Sequence, residues 1–157
     1  MILIIGANGQ LGRQMQKALT ARGLEYAAYD YPEIDITQPD SVRELMEAVK
    51  PRAVVNCAAY TQVDKAEAEE EAAYRVNALG PKNIAQACAE ADAELVHIST
   101  DYVFSGEPPM QDGKPRSYVE SDPCGPVTAY GRTKLAGEHF AQQHCGRLYI
   151  LRTAWLY

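Results

Sequence analysis

The chain opens with Ile2 to Ile5, an apolar run that leads straight into Gly6-Ala7-Asn8-Gly9-Gln10-Leu11-Gly12. A short apolar run ended by glycine reads as a buried strand. Beyond it, Leu11, Met15, Ala18 and Leu19 recur at helical spacing until Gly23, so a helix starts where the strand stops. A strand, a tight glycine turn and a helix in immediate succession form the first part of a βαβ unit. Glycines let that backbone turn sharply and approach a pyrophosphate, while the helix N-terminus presents free amides and the positive end of its dipole. Gly6, Asn8, Gly9, Gln10, Leu11 and Gly12 are therefore candidate residues for binding a dinucleotide. The spacing is G-x-x-G-x-x-G rather than G-x-G-x-x-G, and the turn alone would equally suit a strand-to-helix junction without a ligand.

The alternation continues along the chain. Leu24–Tyr29 reads as a second strand. Asp40 and Ser41 offer caps for a helix carrying Val42, Leu45, Met46 and Val49 on one face, and Pro51 follows its end. Ala53–Asn56, Leu95–Ile98 and Leu148–Leu151 are three further strands. An alanine-rich helical pattern from about Glu67 to Ala91 separates the first two, and another from Thr128 to His144 precedes the last. Gly80-Pro81 falls inside the alanine-rich pattern, where proline clashes with the carbonyl four residues back, that of Asn77; a kink is expected, with Asn77 a buried amide that satisfies the loosened backbone. Ser105 to Pro126 holds five of the nine prolines and reads as a long loop. Strands alternating with helices imply the α/β class: a Rossmann-like, doubly wound parallel sheet with helices on both faces.

Composition narrows the function. The 157 residues suit one domain, and a net charge of −6 argues against a nucleic-acid or anionic-membrane surface. No apolar run approaches the ~20 residues that span a bilayer, and the N-terminus lacks the basic lead of a signal peptide. Cys57, Cys88, Cys124 and Cys145 form no C-x-x-C, so a zinc ribbon and a disulfide framework are not expected, and a cytoplasmic location is.

Two more signals carry chemistry. Asp30 ends the second strand, where an acid meets the adenosine ribose hydroxyls of a dinucleotide; its alternative is a solvated turn residue. Asp35 and Ile36 lie just beyond, placed to flank an adenine. Tyr130 and Lys134, four residues apart, share a helix face. A free phenol ionises near pH ~10, and a neighbouring ammonium is expected to lower that value. Such a pair can deliver a proton to a carbonyl oxygen while a hydride arrives at carbon. Y-x-x-x-K alone is common by chance. Here it opens a helix after the long loop, one βα unit beyond a candidate hydroxyl donor, Thr100, at a strand end. Thr100 would otherwise bond to local backbone.

These motifs in this order resemble the extended short-chain dehydrogenase/reductase superfamily, over the whole chain, and within it the dTDP-4-dehydrorhamnose reductase family. Asn56-Cys57-Ala58-Ala59-Tyr60-Thr61-Gln62-Val63-Asp64-Lys65-Ala66-Glu67 is similar to N-x-A-A-Y-T-x-V-D-x-A-E. Ser99 to Gly106 resembles S-T-D-Y-V-F-x-G, Tyr130 to Glu138 matches Y-G-x-T-K-x-x-G-E, and Arg152 to Tyr157 is similar to R-T-x-W-x-Y. The resemblance implies NADPH- or NADH-dependent reduction of the 4-keto group of dTDP-6-deoxy-L-lyxo-4-hexulose to dTDP-L-rhamnose. Tyr130 would be the general acid, Lys134 its tuning partner at the nicotinamide ribose, and Thr100 a hydrogen-bond donor to the keto oxygen. Ala58, Ala59 and Tyr60 would lie along the cofactor, and Val63, Asp101, Tyr102 and Trp155 would shape the sugar pocket. Trp155 reads equally as a core aromatic, and Asp64, Lys65 and Glu67 as a solvated helix start.

The resemblance also sets expectations about what is missing. Some members carry a glutamate two residues after the last glycine, part of a magnesium site between subunits; Gln14 stands here, and no metal is expected. The Ser105–Pro126 loop looks longer than is usual, either altering the pocket edge or forming a surface insertion. Family chains are nearly twice this length, so residues 1–157 are expected to be an incomplete dinucleotide-binding domain without the C-terminal substrate domain, inactive alone, with a homodimer a possible assembly. A dehydratase or epimerase is the other enzymatic reading, but Asp101 is followed by Tyr102 where dehydratases place a glutamate. A noncatalytic NADP-binding regulatory subunit is the third, and it need not keep both Tyr130 and Lys134.

Overall fold

The structure is a computed structural model that describes residues 1–155. Leu156 and Tyr157, the end of the R-T-x-W-x-Y match, lie outside the described residues. Strands β1 (Ile2–Ile5), β2 (Tyr26–Tyr29), β3 (Ala53–Asn56), β4 (Glu94–Thr100) and β7 (Leu148–Thr153) form one parallel sheet in the order β2-β1-β3-β4-β7. Helices α1 (Gln10–Ala21), α2 (Pro39–Val49), α5 (Gly80–Glu90) and α6 (Ala129–His144) connect them. The chain moves from β1 outward to β2, then returns to the other side of β1 as β3. The winding direction therefore reverses between β1 and β3, and the crevice at their carboxyl ends is where such sheets bind ligands. The core confirms the apolar runs as buried: Leu3, Ile5, Val54 and Leu95 pack with Val42, Met46, Ile84 and Cys88.

Two expected elements differ. Helix α2 begins at Pro39, ahead of both expected caps; the fixed φ of proline suits a first turn, and no side chain caps the helix. The Ser41 hydroxyl accepts the amide of Asp35 instead (3.2 Å). A short α3 (Val63–Ala66) stands apart, and the alanine-rich helix then runs unbroken through α4 (Glu70–Tyr74), a π-helical turn (Arg75–Leu79) and α5. The wider turn comes directly before Gly80-Pro81 and takes up the disruption expected there. Periodicity missed this because alanine satisfies a helical pattern wherever the chain is broken by tertiary contacts.

The Ser105–Pro126 loop is ordered from within. Strands β5 (Met110–Gln111) and β6 (Lys114–Pro115) pair around Asp112-Gly113, both at positive φ. The Phe104 and Tyr118 rings stack at 4.2 Å, and Arg116 grips Asp122 through two hydrogen bonds of 2.7 and 2.6 Å. That guanidinium holds the Asp122 carboxyl down at about 2.

Helix α6 lies unusually close to its neighbours. A Cβ added at Gly131 would sit 2.3 Å from the Tyr102 carbonyl oxygen, and one at Gly137 would sit 2.1 Å from that of Asn77. Gly137→Ala should therefore destabilise the chain by about 1–3 kcal/mol in urea unfolding. Gly146→Ala, where an added Cβ meets nothing within 4 Å, should change it little. Equal effects of the two would remove the close approach as the reason for Gly137.

Candidate active site

The crevice between β1 and β3 widens into a cleft of about 920 Å³. Gly6, Gly9, Gln10 and Leu11 line one end, with Asp30, Asp35 and Ile36 beside them. Ala58, Ala59 and Val63 follow along its length. Thr100, Asp101, Tyr102, Tyr130, Lys134 and Trp155 close the other end. Residues separated by most of the chain thus share one concavity. Trp155 is 82% exposed at its rim, which removes the core reading for that side chain. No residue of the Ser105–Pro126 loop lines the cleft, so among the described residues that loop does not shape its edge.

Three expected cofactor residues stand just behind the lining. Gly12 packs against the turn, where an added Cβ would lie 2.2 Å from the Gly6 carbonyl oxygen. The Asn8 amide donates to Asp30 Oδ2 (2.7 Å), so Asp30 braces the glycine turn as well as facing the cleft. Tyr60 turns its phenol away to Glu69 (2.8 Å). Gly9 differs from both other glycines of the turn. Its φ of −69° is open to any residue, and an added Cβ would meet only the Gly6 carbonyl oxygen, at 3.4 Å. The fold does not require glycine there; a ligand lying against the turn would. This open space, beside the first amides of α1, fits a pyrophosphate.

At the other end, α6 is fastened before it presents Tyr130. The Thr128 hydroxyl accepts the Gly131 amide (3.0 Å), and the Glu67 carboxylate accepts that of Ala129 (2.7 Å). Glu67 is therefore not a merely solvated residue, as expected from sequence; it caps the helix that carries Tyr130. The Tyr130 ring meets Tyr102 edge-on, with centroids 5.6 Å apart. Thr100 uses its hydroxyl locally, donating to Asp101 Oδ1 (3.1 Å) and accepting the Tyr102 amide (3.2 Å), and it lines the cleft together with Tyr130. Its local-backbone role and its place at the site coexist.

Lys134 is 2% exposed, and its Nζ donates to the Ile98 carbonyl (2.6 Å). Burial pulls this ammonium down to about 8, opposed by Glu138 and Cys57. The expected lowering of the Tyr130 phenol by Lys134 is not found here. Burial raises the phenol, Thr100 opposes that rise, and Asp101 and Tyr102 add to it; the net direction is upward. Lys134 spends its charge on a backbone carbonyl in the cleft floor, and desolvation dominates at Tyr130.

Several contributing residues gave no sequence signal for their contacts. Asn77 is buried as expected but serves another segment than its own helix: its Oδ1 accepts the Tyr60 amide (2.8 Å), and its Nδ2 donates to the Tyr60 carbonyl (3.1 Å) and the Thr133 hydroxyl (3.2 Å). It thereby joins the strip after β3 to α6. Asn56 accepts the Ala58 amide (3.1 Å) and meets Nδ1 of buried His97 (3.2 Å). Burial first, then the Lys134 charge, hold His97 well below its ordinary value, so it is neutral at pH 7.

The family model described as the RmlD substrate binding domain matches residues 1–157. The dTDP-4-dehydrorhamnose reductase of Mycolicibacterium smegmatis is 47% identical over 99% of this chain and 46% of its own length. Among solved structures, a dTDP-4-dehydrorhamnose reductase from Clostridium acetobutylicum superposes with a TM-score of 0.93 at 47% identity, over 99% of this chain and 54% of that one. One from Bacillus anthracis, solved in complex with NADP, gives 0.92 at 40% identity, over 99% and 53%. The chain spans about half the length of the relatives it matches.

Because Thr100 is the neighbour that opposes the rise of the Tyr130 phenol, Thr100→Val should move its ionisation further upward. Ultraviolet difference titration against Tyr130→Phe isolates that one phenol, and an unchanged or lower midpoint would contradict that opposition.

Proposed function

The chain belongs to the RmlD substrate binding domain family, and we propose that it carries the dinucleotide site and proton-donating residues of a dTDP-4-dehydrorhamnose reductase. The reaction is reduction of the 4-keto group of dTDP-6-deoxy-L-lyxo-4-hexulose to dTDP-L-rhamnose. The observation that carries this reading is the convergence of Thr100, Tyr130 and Lys134 at one end of a cleft whose other end is the glycine turn. Residues 1–157 then act as the dinucleotide-binding domain, and a separate substrate domain accounts for the additional length of the relatives.

The cofactor, NADH or NADPH, supplies the hydride. Everything else falls to the protein. The amides at the start of α1 hold the pyrophosphate, with Gly9 leaving room for it. Asp30 accepts from the adenosine ribose, Asp35 and Ile36 flank the adenine, and the Ala58–Tyr60 backbone, fixed by Asn56 and Asn77, forms the wall along it. Thr100 donates to the keto oxygen and Tyr130 passes its phenolic proton to the same oxygen, while Lys134 steadies the nicotinamide ribose. Val63, Asp101, Tyr102 and Trp155 border the sugar. Asp30 disfavours a 2′-phosphate and Arg13, exposed on the first turn of α1, offsets that repulsion, so NADH is used and NADPH tolerated.

Tyr130→Phe tests the reading. In the longer protein that includes the substrate domain, it should leave cofactor binding intact and cut ketosugar-dependent NAD(P)H oxidation roughly a hundredfold or more. Turnover within a few-fold of the parent would remove Tyr130 as the acid.

A further inference from the structure

Beneath the cleft lies an ionic cluster that the proposed reaction does not use. Glu138 is one helical turn beyond Lys134 on the same face of α6 and is 1% exposed. Three donors surround its carboxylate: the Ser99 hydroxyl, Arg152 Nε (3.0 Å) and Arg152 Nη2 (2.7 Å). Ser99 directly precedes Thr100, and Arg152 directly precedes Thr153, whose hydroxyl reaches the Ser99 carbonyl (3.3 Å). The cluster therefore touches α6, β4 and β7 immediately behind the reacting groups.

A carboxylate this deep is costly unless it is fully paired. Arg152 and Ser99 provide that pairing. Lys134 lacks an equivalent of its own, since its one hydrogen-bond acceptor among the described residues is the neutral Ile98 carbonyl. The titratable groups that face it are few. Tyr130 and Glu138 come from α6, Cys57 from the segment after β3, and neutral His97 from β4, with Arg152 of β7 behind Glu138. Burial pushes the Cys57 thiol up to about 11, so it is uncharged at neutral pH. Glu138, paired with Arg152, is thus the one carboxylate among these neighbours.

We propose that Glu138 is a positioning residue for Lys134, its clamped carboxylate being the counter-charge that holds the lysine as an ammonium in the cleft floor. The proposal rests on the reading above that Tyr130 and Lys134 form the proton-donating pair. Burial favours the neutral amine and brings Lys134 down to about 8; Glu138 is the first of the groups opposing that fall. Converting Glu138 to an amide removes the opposition and leaves the Arg152 cation unbalanced nearby. Both changes favour the neutral amine, so the lysine loses its proton at lower pH.

A bolt that merely ties β7 and the long loop to the sheet would use the same contacts, because Arg152 also donates to the Glu120 carbonyl (3.2 Å) and lies over the Phe104 ring. Titration separates the two roles. The protein is labelled with carbon-13 at lysine Cε, and the Lys134 resonance is assigned by its loss in Lys134→Met. Glu138→Gln should lower the Lys134 midpoint by roughly one pH unit, whereas Glu138→Asp should leave it within a few tenths of the parent. The double variant Glu138→Gln/Arg152→Gln removes the Arg152 cation together with the carboxylate and keeps the measurement decisive if the single variant does not fold; its midpoint should fall less, but in the same direction. In active enzyme, the alkaline limb of kcat should move with the midpoint. An unchanged Lys134 midpoint in the amide variants would overturn the proposal. A lowered midpoint in a longer protein that includes the substrate domain yet fails to reduce the ketosugar would uphold the Glu138–Lys134 coupling and reject the reductase reading instead.

Discussion

The site depends on how closely two strand ends approach each other. At Gly6 the backbone turns with φ +82°, and an added Cβ would stand 2.5 Å from the Ala58 amide nitrogen. Only glycine permits both the turn and the contact. This approach makes the loop after β1 and the strip after β3 one continuous floor. Asn56 then fixes the strip at Ala58, and Asn77 fixes both backbone groups of Tyr60. A ligand along this floor meets groups already in place, which spares it the ordering cost of a loose loop.

A second layer rests on that floor. Helix α6 comes close through Gly131 and Gly137 and brings Lys134 and Glu138 into the interior, over Ser99 and His97 of β4. Buried charges of this kind seldom improve stability over apolar packing. Their concentration beneath Thr100 and Tyr130 is where local rules of stability give way, as they do at functional sites. The cap from Glu67 and the π-helical turn at Arg75–Leu79 serve the same end, since one fastens the start of α6 and the other delivers the Asn77 amide to it.

Much of the frame was readable in the sequence, because each of its signals is local. The glycine turn, the alternation of strands and helices, and the four-residue spacing of Tyr130 and Lys134 all follow from neighbours along the chain. Thr100 was placed by its strand end alone. The supporting contacts were not readable for the converse reason. Asn77 meets Tyr60 across 17 positions and Thr133 across 56, and Glu67 reaches Ala129 across 62. Alanine spacing concealed the break between α3 and α4 and the π-helical turn before α5. The lysine's influence on the phenol was misjudged because burial, a property of the folded chain, outweighs the pairing that spacing suggests.

The central claim is that the glycine turn is shaped for a dinucleotide and not only for the fold, and Gly9 separates the two. Gly9→Val enters a position of ordinary backbone conformation with open space beside it, so thermal unfolding should occur near the parent's temperature. The side chain would nevertheless occupy the space assigned to the pyrophosphate. Titration of parent and variant with NADH and NADPH, followed by nicotinamide fluorescence, should show saturable binding to the parent and none to the folded variant. Equal binding by the two proteins would contradict the account.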